Sequence, residues 1–140
     1  MGYYSKMPKF ITSLDVRHIG DQSFILIAPL IYENRQFEIT VFQKFDYDGA
    51  SIPQFLWSWI GCPMGGLYSS AACLHDALYA SRIFDRKTCD KLFHEAMLSS
   101  GVRQSLAKKM YLAVRAFGES AYNESDDLQK YRNMISVVVK

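Results

Sequence analysis

The chain has 140 residues, 49% of them hydrophobic and 14% aromatic, which is the size and composition of one domain with a substantial core. Sixteen Lys plus Arg against fourteen Asp plus Glu leave a formal charge of +2, too little for a protein whose main task is neutralising phosphates, so no specific nucleic-acid partner is expected. Cys62, Cys73 and Cys89 are odd in number and irregularly spaced, with no CxxC pair, and so indicate neither a zinc knuckle nor a disulfide framework.

In chain order, "MGYYSKMPKF" contains no apolar stretch of signal-peptide length. No later apolar run approaches the roughly 20 residues of a transmembrane segment. The expected setting is therefore a cytoplasm. Residues 1–50 read as mostly β. Asp15 to Ile19 predicts a strand, and "SFILIAPLIYENRQFEITVFQKF" holds two β-like runs broken at Glu33-Asn34-Arg35-Gln36, the pattern of a hairpin.

Residues 51–122 read as mostly helical. "QFLWSWI" predicts a short helix ended by Gly61 and Pro63. A longer helix runs from about Ser69 to Arg82, with Ala71, Leu74, His75 and Leu78 on its inner side. Asp85 is a suitable N-cap for the next, whose stripe is Cys89, Leu92, Phe93, Ala96 and Met97 before Gly101 stops it. A third helix uses Val102, Leu106, Met110, Ala113 and Phe117 and closes near Gly118. The tail, 123–140, is polar until "MISVVVK", a β-branched run suited either to an edge strand or to packing in a partner. The fold class is α+β: a small N-terminal antiparallel sheet followed by a bundle of three main helices.

The chemistry concentrates in two segments. In "AACLHDALYAS", His75 faces inward between Ala71 and Tyr79, while Asp76 turns a further 100° toward the flank. The helix that follows the short "IFDR" connection packs antiparallel and brings Asp90 toward the imidazole. A carboxylate on one ring nitrogen fixes the tautomer and leaves the other nitrogen as a general base for water. The second segment, "FDYDGASIP", puts Asp46 and Asp48 ahead of the Gly49 turn. Carboxylates and turn carbonyls suit a hard cation such as Ca²⁺, which Asp48 and Asp76 could share beside His75, polarising an ester or phosphoryl oxygen.

"HDALY" with a distal Asp followed by "KLF", preceded by an Asp-Gly loop, resembles the secreted phospholipase A2 superfamily, particularly its small prokaryotic members. The resemblance implies His75 as the base, Asp90 as its orienting acid, Tyr79 beside them, and calcium on Asp76 with loop oxygens from Asp48 and Gly49. The order of "FDYDGASIPQFLW", "HDALY", "DKLFHEAM" and "MYLAVRAFG" is similar to the phage and prophage family catalogued as domain of unknown function 1353. That resemblance implies a phage origin, a place in the host cytoplasm or the virion, and other phage proteins as partners.

Two functional classes follow. One is a calcium-dependent ester hydrolase acting on lipid or another ester. The other is a non-catalytic phage accessory or tail-assembly protein that uses the His/Asp cluster as a structural lock. An HD-type phosphohydrolase needs further His and Asp ligands, and His18 lies in a predicted strand, away from them. His94 and Glu95 read as solvated flank residues, the basic face of Arg103, Lys108, Lys109 and Arg115 as a solvated face, and Trp57 and Trp59 as core or partner contacts.

Overall fold

A computed structural model describes residues 7–20, 23–49, 51–56, 66–124 and 127–140. Its element order is β then α, as the sequence pattern implies. Among the described residues, short strands come first and last: β1 (Lys9–Phe10), β2 (Val16–His18), β3 (Phe24–Leu26), β4 (Leu30–Glu33), β5 (Phe37–Val41), β6 (Asp46–Tyr47) and β7 (Ile135–Val139). Between β6 and β7 lie the helices α1 (Ser69–Ser81), α2 (Arg86–Ser99), α3 (Gln104–Phe117), α4 (Glu119–Asn123) and α5 (Leu128–Arg132).

The β half is two antiparallel sheets where one was expected. One has the order β1-β4-β5-β7 and the other β2-β3-β6. The division falls at Ile27-Ala28-Pro29, because Pro29 has no N–H to continue a ladder. β4 and β5 form the expected hairpin, with Tyr32 opposite Ile39 and Leu30 opposite Val41. Asn34 closes it: its Oδ1 accepts from the backbone N–H groups of Gln36 and Phe37, each at 2.8 Å. The "ISVVV" run pairs with β5 and becomes an edge strand, so the hairpin and the C-terminal tail share one sheet.

Helix α1 is buried nearly all round. Ala71 to Tyr79 are all buried, and only small residues let neighbours approach it from every side. This is why Asp76 lies in the interior and not on the flank that helical spacing alone assigns to it. Helix α1 ends at Arg82, in the left-handed region with φ 46°. The turn at Gly101 has φ 94°, a conformation glycine adopts without strain. Inward side chains of the hairpin (Tyr32, Ile39, Val41) join Leu74, Leu78, Phe93, Met97 and Met110 in one core.

In the region of "QFLWSWI", the described part is a 3₁₀ turn over Gln54–Leu56. Trp57, Trp59 and Cys62 lie outside the described residues. No helix among the described residues is long and apolar enough to cross a membrane.

Candidate functional site

The site forms where α1 meets α2 on one side and the turn after β6 on the other. His75 and Tyr79, one helical turn apart, both face α2, and the Tyr79 ring lies 4.1 Å from the imidazole, centroid to centroid. On α2, Asp90 projects into the same space. His75 Nε2 stands 2.8 Å from Asp90 Oδ1, and the Tyr79 hydroxyl donates to that oxygen at 2.6 Å. The second oxygen, Oδ2, accepts from Arg115 Nη1 at 2.8 Å, with Arg86 Nη1 at 3.6 Å. His75 and Asp90 are completely buried.

Arg115 stood in the sequence reading as part of a solvated basic face. It instead turns from the end of α3 to the buried carboxylate, because an ionised Asp90 without a cation would be costly in the interior. Arg86 also donates to the carbonyls of Val114 and Arg115 at the C-terminal end of α3, which ties the two helices together at the site. Glu95 likewise leaves its expected flank role: it accepts from the Tyr32 hydroxyl at 2.5 Å and from Asn34 Nδ2 at 2.8 Å, locking α2 to the hairpin. His94 is half-buried against the Tyr111 ring.

The other side of the imidazole meets Ser51. His75 Nδ1 is 2.9 Å from Ser51 Oγ, and the same hydroxyl contacts Asp76 Oδ1. Asp76 also accepts from two backbone amides, Gly49 N at 2.8 Å on Oδ2 and Ser51 N at 3.2 Å on Oδ1. Gly49, with φ 79°, gives the turn the conformation that aims these N–H groups at the carboxylate. The continuous order is therefore Asp76, Ser51, His75, Asp90, Arg115.

The protonation directions agree with this order. Burial pushes His75 below the ordinary imidazole value, against the opposing pull of Asp90. Burial alone would raise Asp90, but hydrogen bonds from His75, Tyr79 and Arg115 hold it below the usual carboxylate range. Asp76 is pushed up to about 7, first by burial and then by the Asp48 charge, which together outweigh its bonds to Ser51 and the amides. A neutral His75 donates through Nε2–H to Asp90 and presents Nδ1 as an acceptor. The single Ser51 proton then goes to Nδ1 when Asp76 is protonated and to Asp76 when it is ionised.

The calcium expectation needs oxygen ligands free to turn toward a cation. Both Asp76 oxygens instead accept hydrogen bonds, from the Gly49 and Ser51 backbone N–H groups and from the Ser51 hydroxyl. Among the described residues, no group of three or more His, Cys, Asp or Glu side chains converges to hold a metal. Asp76 and Gly49 do come together, as anchor and turn of the Ser51 loop. Asp48 is exposed and acts on Asp76 as a like charge.

The structure brings His75, Tyr79 and Asp90 together, as the sequence suggested, and adds Ser51 and both arginines to them. Ser51 lies in the "FDYDGASIP" turn with no local pattern to set it apart. The Arg86–Asp90 spacing, four apart on a helix, was a readable signal, whereas Arg115 is brought in only by tertiary packing.

A cleft of about 310 Å³ opens onto this arrangement, with Ser51, Asp76 and Tyr79 in its lining. His75 lies behind them.

No solved structure matches the chain. Two curated proteins of Sinorhizobium fredii (strain NBRC 101917 / NGR234) are similar to it over 71 residues, half of this chain. "Uncharacterized protein y4iH" is 38% identical with 30% of its length covered, and "Uncharacterized protein y4jT" is 39% identical with 21% covered. The chain thus spans under a third of the length of these relatives. The family described as "Protein of unknown function (DUF1353)" matches residues 24–114, a span that holds Ser51, His75, Asp76, Tyr79, Arg86 and Asp90. The chain belongs to that family.

Proposed function

We propose that the protein is an ester hydrolase in which Ser51 is the nucleophile, His75 its general base and Asp90 the acid that orients and stabilises the imidazole. The observation that carries the reading is the position of the imidazole, with Ser51 Oγ 2.9 Å from one nitrogen and Asp90 Oδ1 2.8 Å from the other. Ser51 attacks the ester carbonyl carbon while its proton passes to Nδ1. The imidazolium is stabilised through Nε2–H by Asp90, whose charge Arg115 in turn holds. The tetrahedral intermediate collapses, and the leaving alkoxide takes the proton from Nδ1. Water then repeats the sequence on the acyl-serine, releasing the acid and restoring the Ser51 hydroxyl.

Where the phospholipase-like scheme needs a water on Nδ1 and a calcium ion beside it, the Ser51 hydroxyl stands on Nδ1. No step uses a metal. The test is hydrolysis of p-nitrophenyl acetate by the full chain. The expected result is a burst of nitrophenol from acylation, absent in Ser51→Ala, with the steady rate in His75→Ala reduced about 100-fold or more. Normal turnover by a folded Ser51→Ala variant contradicts the scheme.

A second reading has its own observation, the complete burial of His75. In it the same network is a lock that fastens the β6 turn to α1 and α2 in a non-catalytic accessory protein, such as a phage tail-assembly factor in the host cytoplasm or virion. Here no ester is cleaved by the folded chain, and His75→Ala costs about 1–3 kcal/mol of stability.

A further inference from the structure

The cleft beside Ser51 has a one-sided charge. Of the described residues in its lining, Asp46, Asp48, Asp76 and Glu124 are carboxylates and none is Lys or Arg. An aromatic wall stands beside them. Tyr131 meets Phe45 edge-on at 5.8 Å, and Phe45 stacks on Tyr47 at 5.5 Å. Backed by these buried rings, the half-buried Tyr131 presents its negative face beside the carboxylates, an arrangement that attracts a cation still carrying apolar bulk.

The chain supplies its own example. The Lys130 ammonium lies 4.9 Å from the centroid of the Tyr131 ring and 3.5 Å from Asp46 Oδ1, and both of those residues line the cleft. Its side chain is 45% exposed, so the ammonium sits at the rim and can exchange.

We infer that this cleft selects a substrate carrying an ammonium group, which takes the place of the Lys130 ammonium between Asp46 and the Tyr131 ring and so brings an ester alongside Ser51. The inference rests on the reading of Ser51 as nucleophile for the word substrate, but cation binding is measurable without any turnover.

The experiment is an NMR titration of the Ser51→Ala chain with n-butylammonium and, separately, with butan-1-ol, which has the same alkyl length and no charge. Butylammonium is expected to bind at least tenfold more tightly and to shift the resonances of Asp46, Asp48 and Tyr131, with the preference shrinking as salt is added. Two variants sharpen the result. Lys130→Ala removes the resident competitor and is expected to tighten butylammonium binding several-fold. The pair Asp48→Asn and Glu124→Gln removes two of the lining carboxylates and is expected to weaken it to a similar extent.

Equal binding of amine and alcohol, or a Lys130→Ala variant that binds the amine more weakly, overturns the inference. Loss of p-nitrophenyl acetate hydrolysis does not bear on this titration, so cation selection and serine catalysis fail separately.

Discussion

Two buried carboxylates flank the same imidazole, and the protein treats them in opposite ways. Asp90 is surrounded by donors that favour its charge: the imidazole, the Tyr79 hydroxyl and, above all, Arg115 at 2.8 Å. Asp76 has two amides and a hydroxyl, and the like charge of Asp48 nearby. The first stays ionised and the second is poised to take up a proton near neutrality. A full countercharge separates a permanent anion from a titrating one, even when both have their hydrogen bonds made.

The largest expected effect comes from removing that difference at Asp90. Asp90→Ala leaves the buried His75 N–H and Tyr79 hydroxyl and the half-buried Arg115 without their partner and is expected to cost about 2–4 kcal/mol in a urea melt. Asp90→Asn, which keeps the shape, is expected to lose less stability but to lower ester hydrolysis by a comparable factor to His75→Ala. An Asn variant with normal turnover removes Asp90 from the mechanism.

Gly118 tests the same end through geometry. A Cβ there would lie 2.6 Å from the Tyr79 hydroxyl and 2.5 Å from the Val114 carbonyl, so Gly118→Ala must displace the ring that donates to Asp90. A loss of about 1–3 kcal/mol is expected. If Tyr79→Phe is introduced first, removing the hydroxyl, part of that loss should disappear in a double-mutant cycle.

At the Asp76 end the effect depends on pH. Its folded value is raised to about 7 from the ordinary carboxylate value, so the native state holds a proton that the unfolded chain has released. Stability from this group is fully present below about pH 4 and is lost as pH rises through about 7. Asp90 has the opposite sign: its contribution is present above the ordinary carboxylate value and is lost as pH falls through its depressed native value.

Asp76→Asn, an analogue of the protonated form, is expected to flatten the decline in melting temperature between pH 5 and 8. The same substitution should abolish the alkaline fall in hydrolysis expected if ionised Asp76 draws the Ser51 proton away from Nδ1. A wild-type rate that rises through pH 7 contradicts the assignment. The smallest expected effect is none: chelation with EDTA should leave both melting temperature and hydrolysis unchanged, since both Asp76 oxygens are already taken by hydrogen bonds from the turn.

Much of the α half was legible because its signals are local. The caps and stops at Asp85, Gly101 and Gly118 bound α2 and α3, and the approach of Asp90 to His75 follows from two helices joined by four residues. The β half was legible as strands but not as two sheets, since the pairing of β7 with β5 joins residues 135–139 to 37–41 and has no local cue. The same reason hid half of the site. The contacts of Ser51 with His75 and of Arg115 with Asp90 each span about 25 residues of chain and depend on how α1 is enclosed. Asp76 was misplaced on a flank because helical spacing describes one helix, whereas the burial of α1 on all sides is a property of its neighbours.

The central claim is that Ser51 carries a transferable proton toward His75 and so acts as a nucleophile. The most direct measurement is peptide mass spectrometry of the full chain after reaction with a fluorophosphonate, which adds covalently to an activated serine. The expected result is one phosphonyl adduct on the peptide containing Ser51, absent in His75→Ala at neutral pH. A folded chain that remains unmodified, or is modified at other serines and not at Ser51, contradicts the account.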